Sequence, residues 1–143
     1  MFILICQTQV FQILPGLYLG SQLGASKLTV IELCDISLVL NLTSGHAKIP
    51  NHFEERCRYL NFEVVDQPGE DILSHAIREG VKEIQSALET KMSAMVHCAA
   101  GLSRSATVVV AFLMYQGRSL SEAVDQVTRC RGRRLRINPS FWM

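Results

Sequence analysis

The run Val96-His97-Cys98-Ala99-Ala100-Gly101-Leu102-Ser103-Arg104-Ser105-Ala106-Thr107 decides how the rest of the chain is read. Ala94-Met95-Val96 leads into it and predicts a short buried strand. The apolar run from Ala106 to Tyr115 leads out of it and predicts a buried helix. Between them lies a loop of small residues with one thiol, one glycine, one guanidinium and two hydroxyls. A strand, a tight loop and a helix N-terminus form a cradle for an anion. Backbone N–H groups point into it, and the helix dipole adds about half a positive charge. Five residues separate Cys98 from Arg104, so the loop can curl until thiol and guanidinium face the same anion. The amides, the dipole and Arg104 all favour thiolate over thiol, which makes Cys98 a candidate nucleophile. The planar fork of Arg104 can hold two oxygens at once, as a lysine could not. Gly101 lets the backbone approach the anion closely. Ser105 is placed to hydrogen-bond the sulfur.

His97-Cys98-x-x-Gly101-x-Ser103-Arg104-Ser105 resembles the signature loop of cysteine-dependent protein phosphatases, most closely the dual-specificity group. A cysteine, five residues and an arginine would be a weak pattern alone. The preceding His, the internal Gly, the Ser-Arg-Ser ending and the strand-to-helix context make it specific. The resemblance implies that Cys98 attacks phosphorus. The amides of Ala99, Ala100, Gly101, Leu102 and Ser103, with Arg104, then hold the phosphate oxygens. Ser105 would stabilise the thiolate as it leaves the cysteinyl-phosphate. His97 would pack behind the loop and hydrogen-bond its backbone.

An alkoxide is a poor leaving group, so this chemistry calls for an acid on a loop near the cradle. Asp66 is the first candidate. It ends an apolar strand, opens the turn-rich Asp66-Gln67-Pro68-Gly69 segment and precedes a long helical pattern. Its position upstream of the cysteine also resembles that of the family's general acid. Asp71 is the rival, although it would equally serve as a helix N-cap for Ile72 onward, and Glu70 comes third. Asn41 is a polar residue in the apolar strand Leu38-Val39-Leu40-Asn41-Leu42. It is either a satisfied strand-end amide or, as the resemblance implies, a brace for the phosphate loop.

The chain has 143 residues, 48% of them hydrophobic, with a formal net charge of +1. Those values favour one globular domain, 1–143, and give no bulk attraction to nucleic acid or membrane. No apolar run approaches the roughly 20 residues of a membrane span, and the apolar start lacks the basic region of a signal peptide. Cys6, Cys34, Cys57, Cys98 and Cys130 are odd in number and spaced like neither a disulfide framework nor a zinc site. This suits a reducing setting, cytoplasmic or also nuclear, in which Cys98 stays free. No metal and no cofactor is expected, because Arg104 and the loop amides supply the positive charge.

Working outward in both directions, Pro15-Gly16 predicts a turn and Leu17 to Ser21 a short strand, in a segment Gly-Leu-Tyr-Leu-Gly-Ser that resembles the family's opening. Ser26 to Leu33 predicts a short helix with Leu28 and Ile31 inward. Arg58 to Val65 predicts a strand. Leu73, Ile77, Val81, Ile84 and Leu88 recur at helical spacing, with Gly80 as a place to kink or loosen that helix. Ser119 and Glu122 form a capping box for a last helix with Leu120, Ala123, Val124 and Val127 inward. The basic run Arg129 to Arg136 is a solvated helix end or a docking patch for an anionic segment. Ile137 to Trp142 resembles the family's Asn-Pro-x-Phe segment. Strands alternating with helices predict an α/β fold, with a mostly parallel central sheet covered on both faces and the loop at the C-terminal end of a central strand. That is also the fold the resemblance implies.

The neutral loop residues Ala99, Ala100 and Leu102 favour a singly phosphorylated side chain over a polyphosphorylated lipid or RNA end. The chain has no Lys-Asn-Arg-Tyr-like segment of the kind that deepens the pocket of tyrosine-specific relatives. Nor does it carry a docking domain for mitogen-activated kinases. The resemblance is therefore to the small atypical subgroup, acting on phosphotyrosine and phosphoserine or phosphothreonine in protein partners. The alternatives are a phosphatase of a lipid, glycan or RNA phosphate, and a phosphate-binding module without turnover. Intact Cys98, Arg104 and Asp66 argue against the last.

Overall fold

A computed structural model describes residues 9–43, 50–63, 71–98 and 103–132, without the side chains of 71–73 and 103. In chain order the elements are β1 (Val10–Leu14), β2 (Leu17–Gly20), α1 (Gln22–Ala25), α2 (Leu28–Leu33), β3 (Ile36–Asn41), β4 (Arg58–Asn61), α3 (Asp71–Glu89), β5 (Ser93–His97), α4 (Ser103–Tyr115) and α5 (Leu120–Arg131). The strands form one sheet in the order β1-β2-β5-β3-β4. β1 and β2 make an antiparallel hairpin through Pro15-Gly16; the pairs β2–β5, β5–β3 and β3–β4 are parallel. The predicted mostly parallel α/β sheet is therefore present, and β5 lies at its centre.

Helices cover both faces, and strand alternation sorts the side chains between them. Leu17, Leu19, Leu38, Leu40, Ala94 and Val96 point toward α3, α4 and α5. Tyr18, Val39 and Met95 point the other way, against Ala25, Val30 and Ile31 of α1 and α2. Burial on both faces explains why these strands read as unbroken apolar runs. The predicted strand over Leu38–Leu42 appears as β3, starting two residues earlier. β1 was not legible as a strand, because an edge strand with one exposed position, Gln12, shows only weak alternation.

Three helix expectations need correcting. Leu28 is 42% exposed, whereas its neighbours Val30 and Ile31 are buried. α2 is only six residues long and buries one narrow edge. Leu120 is 40% exposed, because it opens α5; Ala123 and Val127, further along, are buried, and Val124 packs against the core beside them. Gly80 does not break α3, which runs without interruption from Asp71 to Glu89. A Cβ at Gly80 would stand 2.9 Å from Leu40 Cδ2 and 3.2 Å from Val108 Cγ1. The glycine is there for close approach of α3 to β3 and α4. The deepest face of α3 is accordingly small-residued: Ala76, Gly80, Ile84 and Ala87 are buried, with Ile77, Val81 and Leu88 at its flanks.

The capping box is present. The Glu122 amide donates to Ser119 Oγ at 3.1 Å, and the Ser119 amide donates to Glu122 Oε1 at 2.8 Å. Those two bonds hold the Glu122 carboxyl below its ordinary range. α5 ends at Gly132, with Arg129 paired to Asp125 one turn back at 3.0 Å. Arg133 to Arg136 and the Asn-Pro-x-Phe segment lie outside the described residues.

Candidate active site

Cys98 follows directly on β5, and Ser103 opens α4. The strand is held from both sides as far as the loop. Gly20 of β2 and Asn41 of β3 flank His97 in register, and the Leu42 amide donates to the His97 carbonyl at 2.9 Å. The thiol therefore leaves the sheet at a fixed point beside a helix N-terminus, where amides and dipole favour negative charge. Cys98 is 1% exposed and Ser105 fully buried, and Sγ lies 3.2 Å from Oγ. The predicted meeting of Ser105 with the sulfur is thus made across the first turn of α4. Arg104, next to Ser105 in that turn, is half-buried. Ala99, Ala100, Gly101 and Leu102 lie outside the described residues, as does the Ser103 side chain.

His97 is 1% exposed, and its Nδ1 lies 3.4 Å from the Cys98 carbonyl oxygen. Burial pushes the imidazole pKa down to about 4. The Cys98 carbonyl opposes that shift, and the charge of His52 adds to it. At neutral pH His97 is therefore an uncharged ring that donates one long hydrogen bond to the start of the loop.

Asn41 is 3% exposed and has partners on both ends of its amide. Its Nδ2 donates to Asn51 Oδ1 at 3.0 Å, and its Oδ1 accepts from Thr43 Oγ1 at 2.7 Å. The amide thus ties the end of β3 to the segment around Asn51, beside His97. Thr43 and Asn51 were not singled out from the sequence. Asn51 sits in a loop with no periodic signal, and its role exists only because the loop folds back.

Asp66 and Glu70 lie outside the described residues. α3 begins at Asp71, whose side chain lies outside the described residues. Ser21 was also missed. It follows Gly20, the register partner of His97, and is 2% exposed, yet its hydroxyl has no hydrogen-bond partner among the described residues. Cys34 and Cys57 are buried, and burial pushes both thiols up; Cys57 Sγ lies 3.2 Å from the Ile36 carbonyl oxygen. They behave as ordinary core thiols. Among the described residues no three His, Cys, Asp or Glu side chains converge as metal ligands would, and no helix is long and apolar enough to cross a membrane.

Comparison with known proteins agrees with this geometry. The family model described as dual specificity phosphatase, catalytic domain, matches residues 17–143. Over 131 residues, 91% of its length, the chain is 40% identical to mouse dual specificity protein phosphatase 2 and 37% identical to the human dual specificity protein phosphatase 4. It spans 39% and 31% of the lengths of those two relatives. Among solved structures it is similar to human DUSP28, with a TM-score of 0.79 and 28% identity, covering 94% of this chain and 88% of that one. It is similar also to a human tyrosine phosphatase-like serine/threonine/tyrosine-interacting protein, with a TM-score of 0.85 and 29% identity over 94% of this chain and 91% of that one.

Proposed function

The chain belongs to the dual specificity phosphatase catalytic-domain family, and from that membership we propose that it hydrolyses phosphotyrosine and phosphoserine or phosphothreonine in proteins through a cysteinyl-phosphate intermediate. The observation that carries this reading is the 3.2 Å approach of Cys98 Sγ to Ser105 Oγ at the junction of β5 and α4. A hydroxyl in that place can donate to a sulfur that carries negative charge, which is the state a phosphoryl-transfer nucleophile passes through twice.

In the proposed cycle the Cys98 thiolate attacks phosphorus, forming an S–P bond as the P–O bond to the side chain breaks. Asp66 gives its proton to the leaving oxygen. Arg104 and the amides of Ala99, Ala100, Gly101, Leu102 and Ser103 hold the three equatorial oxygens. Asp66, now a carboxylate, takes a proton from water as that water attacks phosphorus. The S–P bond breaks, phosphate departs, and Ser105 donates to the released thiolate. Neutral His97 and the amide of Asn41 position the loop. The cycle asks for no metal, since Arg104 and the amides supply the charge. In this reading residues 1–143 are one catalytic domain, the partners are phosphorylated proteins, and the setting is a reducing one such as the cytoplasm, where Cys98 stays a thiol.

The test is turnover of para-nitrophenyl phosphate with a chelator present, for the parent and for Cys98→Ser, followed by phosphopeptides against phosphoinositides and phosphorylated glycans. Chelator-resistant turnover that Cys98→Ser abolishes, with phosphopeptides preferred, supports the reading. Preference for the lipid or glycan would move the substrate class. A folded, reduced parent without turnover would turn the site into a phosphate-binding one.

A further inference from the structure

Residues 41–43 hold the peptide bond that carries Cys98. The Leu42 amide donates to the His97 carbonyl at 2.9 Å, and that carbonyl belongs to the bond joining His97 to Cys98. On either side of Leu42 stand two buried polar side chains, Asn41 and Thr43. Thr43 Oγ1 donates to Asn41 Oδ1 at 2.7 Å, which ties the two flanks of Leu42 together. From outside the sheet, Asn51 Oδ1 accepts from Asn41 Nδ2 at 3.0 Å. An amide presents an oxygen at one end and N–H groups at the other, so these two bonds fix which way the Asn41 side chain is turned. His97 stands opposite Asn41 in the parallel pairing, and strand alternation puts both on the face that holds Val39 and Met95.

The turn that follows Asn51 is anchored without that bond. The Arg56 and Cys57 amides donate to the Phe53 carbonyl at 3.0 and 2.9 Å, and the Phe53 amide donates to Tyr59 Oη at 3.0 Å. Phe53 and Tyr59 pack against the core on the α1–α2 side of the sheet. Arg56 reaches Glu32 of α2 at 2.9 Å, and Cys57 Sγ donates to the Ile36 carbonyl at 3.2 Å. A turn held this firmly has little need of the Asn51 side chain for its own stability. The bond therefore acts on Asn41: a fixed platform presents an acceptor to an amide at the end of β3.

We propose that Asn51 is a positioning residue for Cys98. It fixes the Asn41 side chain and, through Leu42, the His97–Cys98 peptide, so that the sulfur stays against Ser105 Oγ at the start of α4. That the sulfur so placed is a phosphoryl-transfer nucleophile rests on the function proposed above. With the bond gone, the Asn41 amide can turn and the hold of Leu42 on the His97 carbonyl loosens. The sulfur then spends part of its time away from the hydroxyl and the helix dipole that favour thiolate, and its thiolate forms only at higher pH. Misplacing a reacting atom by about 1 Å can slow a reaction about 100-fold.

The experiment compares the parent with Asn51→Ala, Asn51→Ser, Tyr59→Phe, Asn41→Ala and the double variant Asn41→Ala/Asn51→Ala. Alkylation of Cys98 by iodoacetamide is followed against pH by mass spectrometry of the peptide that holds it. Para-nitrophenyl phosphate gives kcat and KM, and urea unfolding reports the fold. Serine at position 51 stays polar but is too short to reach Asn41. Both Asn51 variants should show an alkylation midpoint higher by about 0.5 pH or more, and a kcat lower by about tenfold or more. KM should stay near parental, since Arg104 and the loop amides are untouched. Tyr59→Phe loosens the turn at the Phe53 amide and spares Asn51, so it should lower the urea midpoint without moving the alkylation midpoint. The double variant should be no slower than Asn41→Ala, because Asn51 acts through Asn41. A parental alkylation midpoint in the Asn51 variants, an equal shift in Tyr59→Phe, or additive losses in the double variant would overturn the proposal. So would an Asn51 variant that does not fold, since the bond would then serve the fold and not the sulfur. Alkylation needs no turnover: a parent inactive on phosphate esters whose midpoint still moves with Asn51 would uphold the positioning role while the phosphatase reading fails.

Discussion

Cys98 Sγ, at the end of β5, and Ser105 Oγ, in the first turn of α4, are 3.2 Å apart and buried. Six residues of chain separate them, and the helix start brings them back into contact. A buried hydroxyl in contact with a sulfur can donate to whatever negative charge the sulfur carries.

Ser105→Ala should therefore slow release of thiolate from the phosphoenzyme more than its formation. A hydrogen bond to a charged group contributes about 1.5–3 kcal/mol, which corresponds to about a 10- to 150-fold lower kcat. Rapid-quench assays with para-nitrophenyl phosphate should show a burst of nitrophenolate that the parent lacks. A variant with parental kcat would remove Ser105 from the cycle.

His97 links the site to pH. Its imidazole titrates near pH 6.5 in the unfolded chain and near 4 in the folded one. The unfolded state binds the extra proton between those values, so stability is complete above about pH 6.5 and falls as pH drops toward 4. The loss across that window is about 3 kcal/mol at most. His97→Asn keeps a short donor for the Cys98 carbonyl without a titrating ring, and its urea midpoint should vary less over pH 4–7. Parallel pH profiles for parent and variant would exclude His97 as the cause.

Gly80→Ala tests the close approach of α3. Helix propensity alone predicts a gain of about 1 kcal/mol. The added Cβ meets Leu40 Cδ2 at 2.9 Å and Val108 Cγ1 at 3.2 Å inside a filled core, and overpacking there costs about 1–3 kcal/mol. The expected net result is a lower urea midpoint, and Gly80→Val should lower it further. A higher midpoint for the alanine variant would show that α3 can shift outward freely.

Ser21→Ala should do the reverse. The Ser21 hydroxyl is buried, has no partner among the described residues, and makes no capping bond to α1 although it occupies the N-cap. Removing an unpaired buried polar group is favourable by about 1 kcal/mol. Thermal unfolding should occur a few degrees higher, with para-nitrophenyl phosphate turnover retained. A fall in turnover at raised stability would instead assign the hydroxyl to the cradle beside Gly20 and His97.

The chemistry of the Cys98 loop was legible in the chain because nucleophile, glycine, guanidinium and hydroxyl sit within eight consecutive residues, bounded by two apolar runs. Local spacing is enough to specify such a cradle. The same holds for the α4 and α5 helices and the Ser119–Glu122 box, whose partners are three or four residues apart. What depended on distant parts of the chain was not legible. Gly80 looks like a helix fault until Leu40 and Val108 are packed on it. Asn51 acquires a partner only when its loop returns to Asn41, and Leu28 and Leu120 fit the helical period yet lie outside the core. Sequence periodicity records which residues share a face. Only the tertiary structure decides what that face meets, because burial and hydrogen bonding there are set by residues tens of positions away.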